Sequence, residues 1–316
     1  MATRILELGR DRLLIDLDFR DTEGLVGTYV VPLEDQTVAL IETGPTSCHE
    51  ILARGVAQAG IDPRAVSKIF VTHIHLDHAG GMGSLADTFP RATFYAHHLG
   101  VPHLVDPSRL VASARRAWGP AADSIWGTVV PVPAERIQSL HGGERFPLRD
   151  GALEVLETPG HAKHHLAFVD SATHSLFTGD GAGVRLEGSV RSRPALPPPD
   201  LDLELLLASV DRMARASPRR LLYSHFGSRS GGAEELREYV DTVRAWERTA
   251  LDAAAENPDP AHVAAALRQL DVEQQVLAGS ASTGADRGEM VSGYELAAQG
   301  LLRYFATHGR LAGGNP

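Results

Sequence analysis

The sequence predicts a layered α/β sandwich. Three observations carry this. Strands and helices alternate in two similar halves. Many strand-like runs come in adjacent groups without a helix between them, which a doubly wound parallel sheet would not allow. In each half, strand-like runs end on histidine or aspartate.

The elements follow in order. RILEL, LLIDL, VGTYVVPL and TVALIE, within residues 4–42, alternate short apolar runs with turn residues and read as an antiparallel meander. GPTS breaks the run, and HEILARGVAQAG carries a helical pattern that stops at Gly60. SKIFVTH is a strand, GMGSLADTF a short helix and ATFYAHH a strand again. A helical pattern occupies SRLVASARRAW within an otherwise mixed stretch. ALEVLETPGH, HLAFVD and SLFTGD form a second group of strands. DLELLLASVDRMARA is an amphipathic helix, entered from the rigid stretch SRPALPPPD with Asp200 as its expected N-cap, and RRLLYSH is the strand after it. The proline-rich stretch reads equally as a rigid connection or as a pocket wall.

The pattern changes near residue 232, and no strand alternation survives beyond it. Three helices are expected, in EELREYVDTVRAWERTALDAAAE, DPAHVAAALRQL and GEMVSGYELAAQGLLRYFATHG. Asp259 and Pro260 suit the N-cap and first position of the middle one. Residues 1–232 are therefore read as a catalytic domain and 233–316 as a helical appendage. Met290, Tyr294, Ala297, Leu301 and Tyr304 form an apolar stripe at helical spacing. That stripe can cover the core or a second copy of the chain, so a homodimer stays open.

Composition narrows the function. A net charge of −10 argues against nucleic-acid and anionic-membrane partners and leaves a small-molecule substrate. The N-terminus lacks a signal-peptide core and no run approaches a membrane span, so a cytoplasmic protein is expected. The single cysteine, Cys48, rules out an intrachain disulfide and a multi-cysteine zinc site. It reads as a small buried apolar residue.

The chemistry concentrates in VTHIHLDHAGG, residues 71–81, where His73, His75, Asp77 and His78 fall within six positions. On a strand, positions i and i+2 face the same way, so His73 and His75 can enter one site from the strand end. Asp77 and His78 then lie where the next helix opens. Imidazole and carboxylate donors suit zinc, and also iron or manganese. Gly80 and Gly81 leave room for close backbone approach.

H-x-H-x-D-H after an apolar strand resembles the signature of the metallo-β-lactamase superfamily. Its other positions follow in order: His161 in TPGH, Asp180 in FTGD and His225 in LLYSHFG. IETG, residues 41–44, resembles the family's aspartate-Thr-Gly turn with Glu42 in the aspartate place. The resemblance spans about residues 10–230. It implies an αββα four-layer sandwich and a centre of two divalent metal ions, zinc first, with iron or manganese on the same donors. In that pattern His73, His75 and His161 hold one ion, and Asp77, His78 and His225 the other. Asp180 bridges them, and Asp77 doubles as the catalytic proton carrier. The implied activity is hydrolysis of a small ester, thioester or lactone. The relatives in mind are glyoxalase II-like and lactonase-like enzymes, some with a C-terminal helical extension. Two alternatives stay open: a small-molecule phosphodiesterase, and a regulatory protein that keeps its metals but acts through its helical tail. His164 and His165 are expected either beside the site or in a structural pair. His97 and His98 are weaker candidates for the metal side. His49, His103, His141, His174, His262 and His308 read as ordinary surface residues.

Overall fold

A computed structural model describes residues 2–279 and 285–311. The chain divides into two compact units, Met1–Glu157 with His164–Phe177, and Thr158–Lys163 with Thr178–Pro316.

In the first unit, β1 (Ile5–Gly9), β2 (Arg12–Asp16), β3 (Gly27–Pro32), β4 (Val38–Ile41), β5 (Val66–Phe70), β6 (Thr93–His97) and β7 (Ile137–Leu140) lie side by side in chain order. β1 to β4 pair antiparallel, as the meander predicts. From β4 onward the pairs are parallel. A parallel pair needs a crossover, and helices supply it. α1 (His49–Gln58) joins β4 to β5, and α2 (Leu76–Ala79) and α3 (Leu85–Thr88) join β5 to β6. α4 (Val101–Val105), α5 (Ser108–Trp118) and α6 (Ala122–Trp126) join β6 to β7. α1 buries Leu52, Gly55 and Val56.

The same unit holds β8 (Arg145–Leu148), β9 (Gly151–Glu157), β10 (Leu166–Asp170) and β11 (Ser175–Phe177), each antiparallel to the next. Aromatic side chains join the two sheets. Phe70 meets Phe146 and Phe168 edge-on, with centroids 4.8 and 5.6 Å apart, and Tyr29 meets Phe177 at 5.1 Å. Such pairs contribute about 0.5–1.5 kcal/mol beyond the area they bury. A buried ion pair adds register. Arg12 on β2 donates to Asp170 at 2.8 Å and to Asp150 at 2.6 Å.

The second unit carries α7 (Leu203–Arg215), β12 (Arg220–Tyr223), β13 (Gly227–Ser230), α8 (Gly232–Glu256), α9 (Pro260–Leu277), α10 (Ala285–Gly288) and α11 (Tyr294–Thr307). β12 and β13 pair antiparallel, and α8 packs on β12, α7 and α9. Asp259 caps α9 by accepting from the Ala261 amide, with Pro260 in the first turn, as expected. The apolar stripe is inward: Tyr294, Ala297, Leu301 and Tyr304 are buried in the chain itself. Asp271 on α9 fixes the bundle by accepting from Arg193 at 3.0 Å and from the Tyr294 hydroxyl at 2.6 Å. Among the described residues, no helix is long and apolar enough to cross a membrane.

Some elements differ from expectation. β7, β8, β13, α4 and α6 were not legible, because runs of four or five residues such as IQSL and GSRS carry no period. The last expected helix breaks before Tyr294, where Gly293 takes an extended backbone. α7 is capped by Asp202, which accepts from the Leu205 amide. Asp200 instead takes Lys163 at 3.2 Å.

One buried carboxyl makes fold stability depend on pH. Burial pushes Asp16 up to about 6, against the opposing amides of Asp18 and Gly24 and the charge of Arg4. The folded chain thus keeps a proton that the unfolded chain, titrating near 3.8, releases first. The group's contribution is complete below that lower value and is lost as pH rises towards 6. Asp16→Asn should remove this decline. In urea unfolding, wild type should lose stability relative to the variant between pH 4 and pH 7; an unchanged difference would refute the assignment.

Candidate metal centre

The first group of ligand candidates sits in the first unit, at the C-terminal end of β5. The strand stops at Phe70, so His73 and His75 lie on a loop rather than on the strand, which corrects the expected placement. The chain bends at Thr72, and His75, the residue preceding α2, sits at φ −60°, ψ 150°. His73 Nε2 and His75 Nδ1 face each other at 2.9 Å. α2 then carries Asp77 and His78, and His78 Nε2 lies 3.9 Å from Asp77 Oδ2. His73 and His78 are buried, and Asp77 stays slightly open at 9%.

Glu42 governs the orientation of this group. Its carboxylate is buried at φ +71°, directly after β4. It accepts from the Thr72 hydroxyl at 2.6 Å and faces His78 Nδ1 at 3.2 Å. A carboxylate only accepts, so His78 carries its proton on Nδ1 and Nε2 is the unprotonated nitrogen. The Thr72 hydroxyl spends its proton on Glu42 and must accept from His73 Nδ1, 3.0 Å away. His73 therefore carries its proton on Nδ1, and its unprotonated Nε2 faces His75. Glu42 therefore performs the supporting role expected of the aspartate it replaces. Thr43 holds the other side, donating from its amide and its hydroxyl to the His78 carbonyl at 2.9 and 2.8 Å.

The second group lies in the second unit. His161 follows a sharp turn: Gly160 has φ +136°, and a Cβ there would stand 2.2 Å from the Leu206 amide of α7. His161 Nδ1 donates to the Ala195 carbonyl at 2.8 Å, so Nε2 is the unprotonated nitrogen. The proline-rich stretch thus contributes a hydrogen-bond acceptor as well as a connection. Asp180 offers its two oxygens in two directions. Oδ2 lies 3.6 Å from His161 Nε2, and Oδ1 lies 3.7 Å from His225 Nε2. Asp180, His161 and His225 are all buried.

These separations fit metal ligation better than hydrogen bonding, which needs shorter contacts. Two donors bound tetrahedrally at about 2.0–2.2 Å stand roughly 3.4 Å apart. The unprotonated imidazole nitrogens and the carboxylate oxygens are the atom types that zinc, iron and manganese take.

Other candidates fall into place. His164 and His165 stand beside the ligand candidates, with the His165 ring 5.1 Å and the His164 ring 6.3 Å from that of His73. His97 turns to Glu157 at 3.2 Å and accepts from the Leu99 amide. His98 stacks on His97 and on His141. His49 is half-buried and bonds to Thr88, so its surface reading is corrected. Leu76, between His75 and Asp77, lines a cavity of about 250 Å³ with Val111, Ala114, Ala122, Trp126 and Val129. The α5–α6 wall of that cavity had no chemical signature in the sequence.

A family model described as the metallo-beta-lactamase superfamily matches residues 22–225. The chain belongs to the metallo-β-lactamase superfamily. It is a metal-dependent hydrolase with that superfamily's αββα sandwich. It is 26% identical over 211 residues to a metallo-beta-lactamase fold-containing protein of Sulfurisphaera tokodaii, covering 64% of this chain and 78% of that one. It is 22% identical over 241 residues to a hydroxyacylglutathione hydrolase of Synechococcus sp., covering 72% of each. A metallo-beta-lactamase family protein from Thermus thermophilus aligns with a TM-score of 0.67 at 20% identity, over 100% of this chain and 96% of that one.

Two predictions follow from the metal-centre geometry. Glu42→Ala leaves the Thr72 hydroxyl and His78 Nδ1 without their acceptor. It should weaken metal retention by about 10–100-fold in a chelator titration; an unchanged titration would remove Glu42 from the centre. Cys48 is buried, and burial pushes its thiol up to about 12. A thiol-specific reagent should label it only after denaturation, and rapid labelling of the folded chain would contradict that burial.

Proposed function

We propose that the two groups close on one pair of divalent ions and that the chain hydrolyses a small ester, thioester or lactone. The observation that carries this reading is Asp180, whose two oxygens face two different histidines in the manner of a bridging carboxylate. His73, His75 and His161 would hold one ion. Asp77, His78 and His225 would hold the other. When bound, two such ions, zinc first, make water nucleophilic near neutral pH and polarise the acyl oxygen of a substrate.

The chain's own residues do the rest. Glu42, Thr72 and the Ala195 carbonyl hold three imidazoles with one nitrogen turned into the centre. Asp77 is the least buried of the acidic ligands and is placed to take a proton from the attacking nucleophile and pass it on. The cavity beside Leu76 mixes apolar side chains with Arg115, Asp123 and Thr128, which suits a short acyl group carrying a polar end. The relatives named hydroxyacylglutathione hydrolase support an acyl substrate. The net charge of −10 favours a small molecule over nucleic acid. Residues 1–232 would form the catalytic domain, since they include all seven ligands; residues 233–316 would form a helical region outside the ligand set.

Metal analysis with a panel of thioester, lactone and bis-p-nitrophenyl phosphate substrates tests the reading. Acyl substrates should turn over with two metals per chain. Asp180→Ala should lower that turnover by about two orders of magnitude, roughly 2.7 kcal/mol of barrier. Turnover of the phosphodiester alone would make the chain a phosphodiesterase. Metals bound with no turnover at all would make it a regulatory protein.

A further inference from the structure

The helix α8 lies outside the ligand set, yet one of its side chains packs on the turn that follows Asp180. Tyr239 is 1% exposed, and among the described residues its phenol oxygen is buried without a hydrogen bond. A lone hydroxyl in such a place is costly to leave unsatisfied. Its surroundings show what it serves.

The tyrosine ring lies against Gly183. A Cβ at that position would stand 2.7 Å from Tyr239 Cε2 and 2.4 Å from the Arg193 carbonyl, and φ there is +76°. Gly183 closes the turn that begins at Asp180, donating its amide to the Asp180 carbonyl at 2.9 Å. The phenol oxygen faces the backbone amide of Ala195 without closing a hydrogen bond. The carbonyl of the same residue accepts from His161 Nδ1. Burial first, and the charge of Asp180 second, hold the phenol far above its ordinary range, so it stays protonated and neutral.

We propose that Tyr239 is a positioning residue through which α8 sets Asp180 and His161. The ring braces the turn from Asp180 to Gly183. The phenol oxygen faces the Ala195 amide, and the carbonyl of the same residue orients His161. The inference rests on the metal-centre reading above. Removing the hydroxyl should therefore loosen metal retention without costing the fold its stability.

The test is Tyr239→Phe, which keeps the ring and removes only the hydroxyl. The metal-free variant should melt at the wild-type temperature or above it, because an unsatisfied buried group has gone. In competition with a chromogenic chelator, the same variant should hold at least one zinc ion about tenfold more weakly than wild type. A competition curve that superimposes on wild type overturns the proposal. So does a metal-free variant that melts lower or fails to fold, since the phenol would then be bonded already and serve stability alone. Wild type that binds no zinc sinks the metal-centre reading itself, and this proposal with it; the two failures are thus told apart by the wild-type arm.

Discussion

An imidazole has two ring nitrogens, and one that binds a metal needs the other tied down. Three of the histidines meet that constraint with three different partners. His78 uses the Glu42 carboxylate, His73 the Thr72 hydroxyl and His161 the Ala195 carbonyl. Each partner fixes a tautomer as well as a direction. The ligand loops are shaped largely by the need to bring those partners into place.

The fold supplies them economically in the first unit. Parallel strands begin at β4, so the chain ends of β4 and β5 fall side by side. Glu42 directly follows one and Thr72 closely follows the other, which is why residues 30 positions apart share a proton. The amide of Glu42 donates to the Phe70 carbonyl at 2.8 Å and continues the pairing beyond the strands. Phe70 also anchors the contact between the two sheets. The same residue thus joins core packing to ligand placement. Glutamate in an aspartate place is accommodated by the positive φ at Glu42, a conformation that non-glycine residues rarely adopt.

In the second unit, His161, Asp180 and His225 come from three separate segments. The His161 turn rests on α7 through Gly160, and the Asp180 turn rests on α8 through Gly183. Buried ion pairs, Arg193 with Asp271 and Arg185 with Glu235, tie loops of this unit to α9 and α8. Removing one partner from such a pair leaves an uncompensated buried charge. The helices after residue 232 therefore pack on the stretch that follows Asp180 and on the strand β12 that leads to His225, although none of their residues is itself a ligand candidate.

Much of this was legible before any coordinates. The strand alternation of RILEL to TVALIE, the cap of α9 by Asp259 and the inward stripe of α11 are local patterns, and local patterns survive folding because periodicity sets which face is buried. The spacing H-x-H-x-D-H, with His161, Asp180 and His225, marked the donors by residue type alone. Other features have no local signal. His73 and His75 leave the strand because β5 ends at Phe70, where its pairing with β6 also ends. GSRS becomes β13 only through its register with β12. The roles of Glu42, the Ala195 carbonyl and Tyr239 arise from contacts between segments 30 or more residues apart, which no window along the chain contains. The sequence by itself determined which chemistry is available, because donor type is a property of each side chain. Only the tertiary structure decided which nitrogen of His73, His78 and His161 carries the proton, because that depends on what each nitrogen touches.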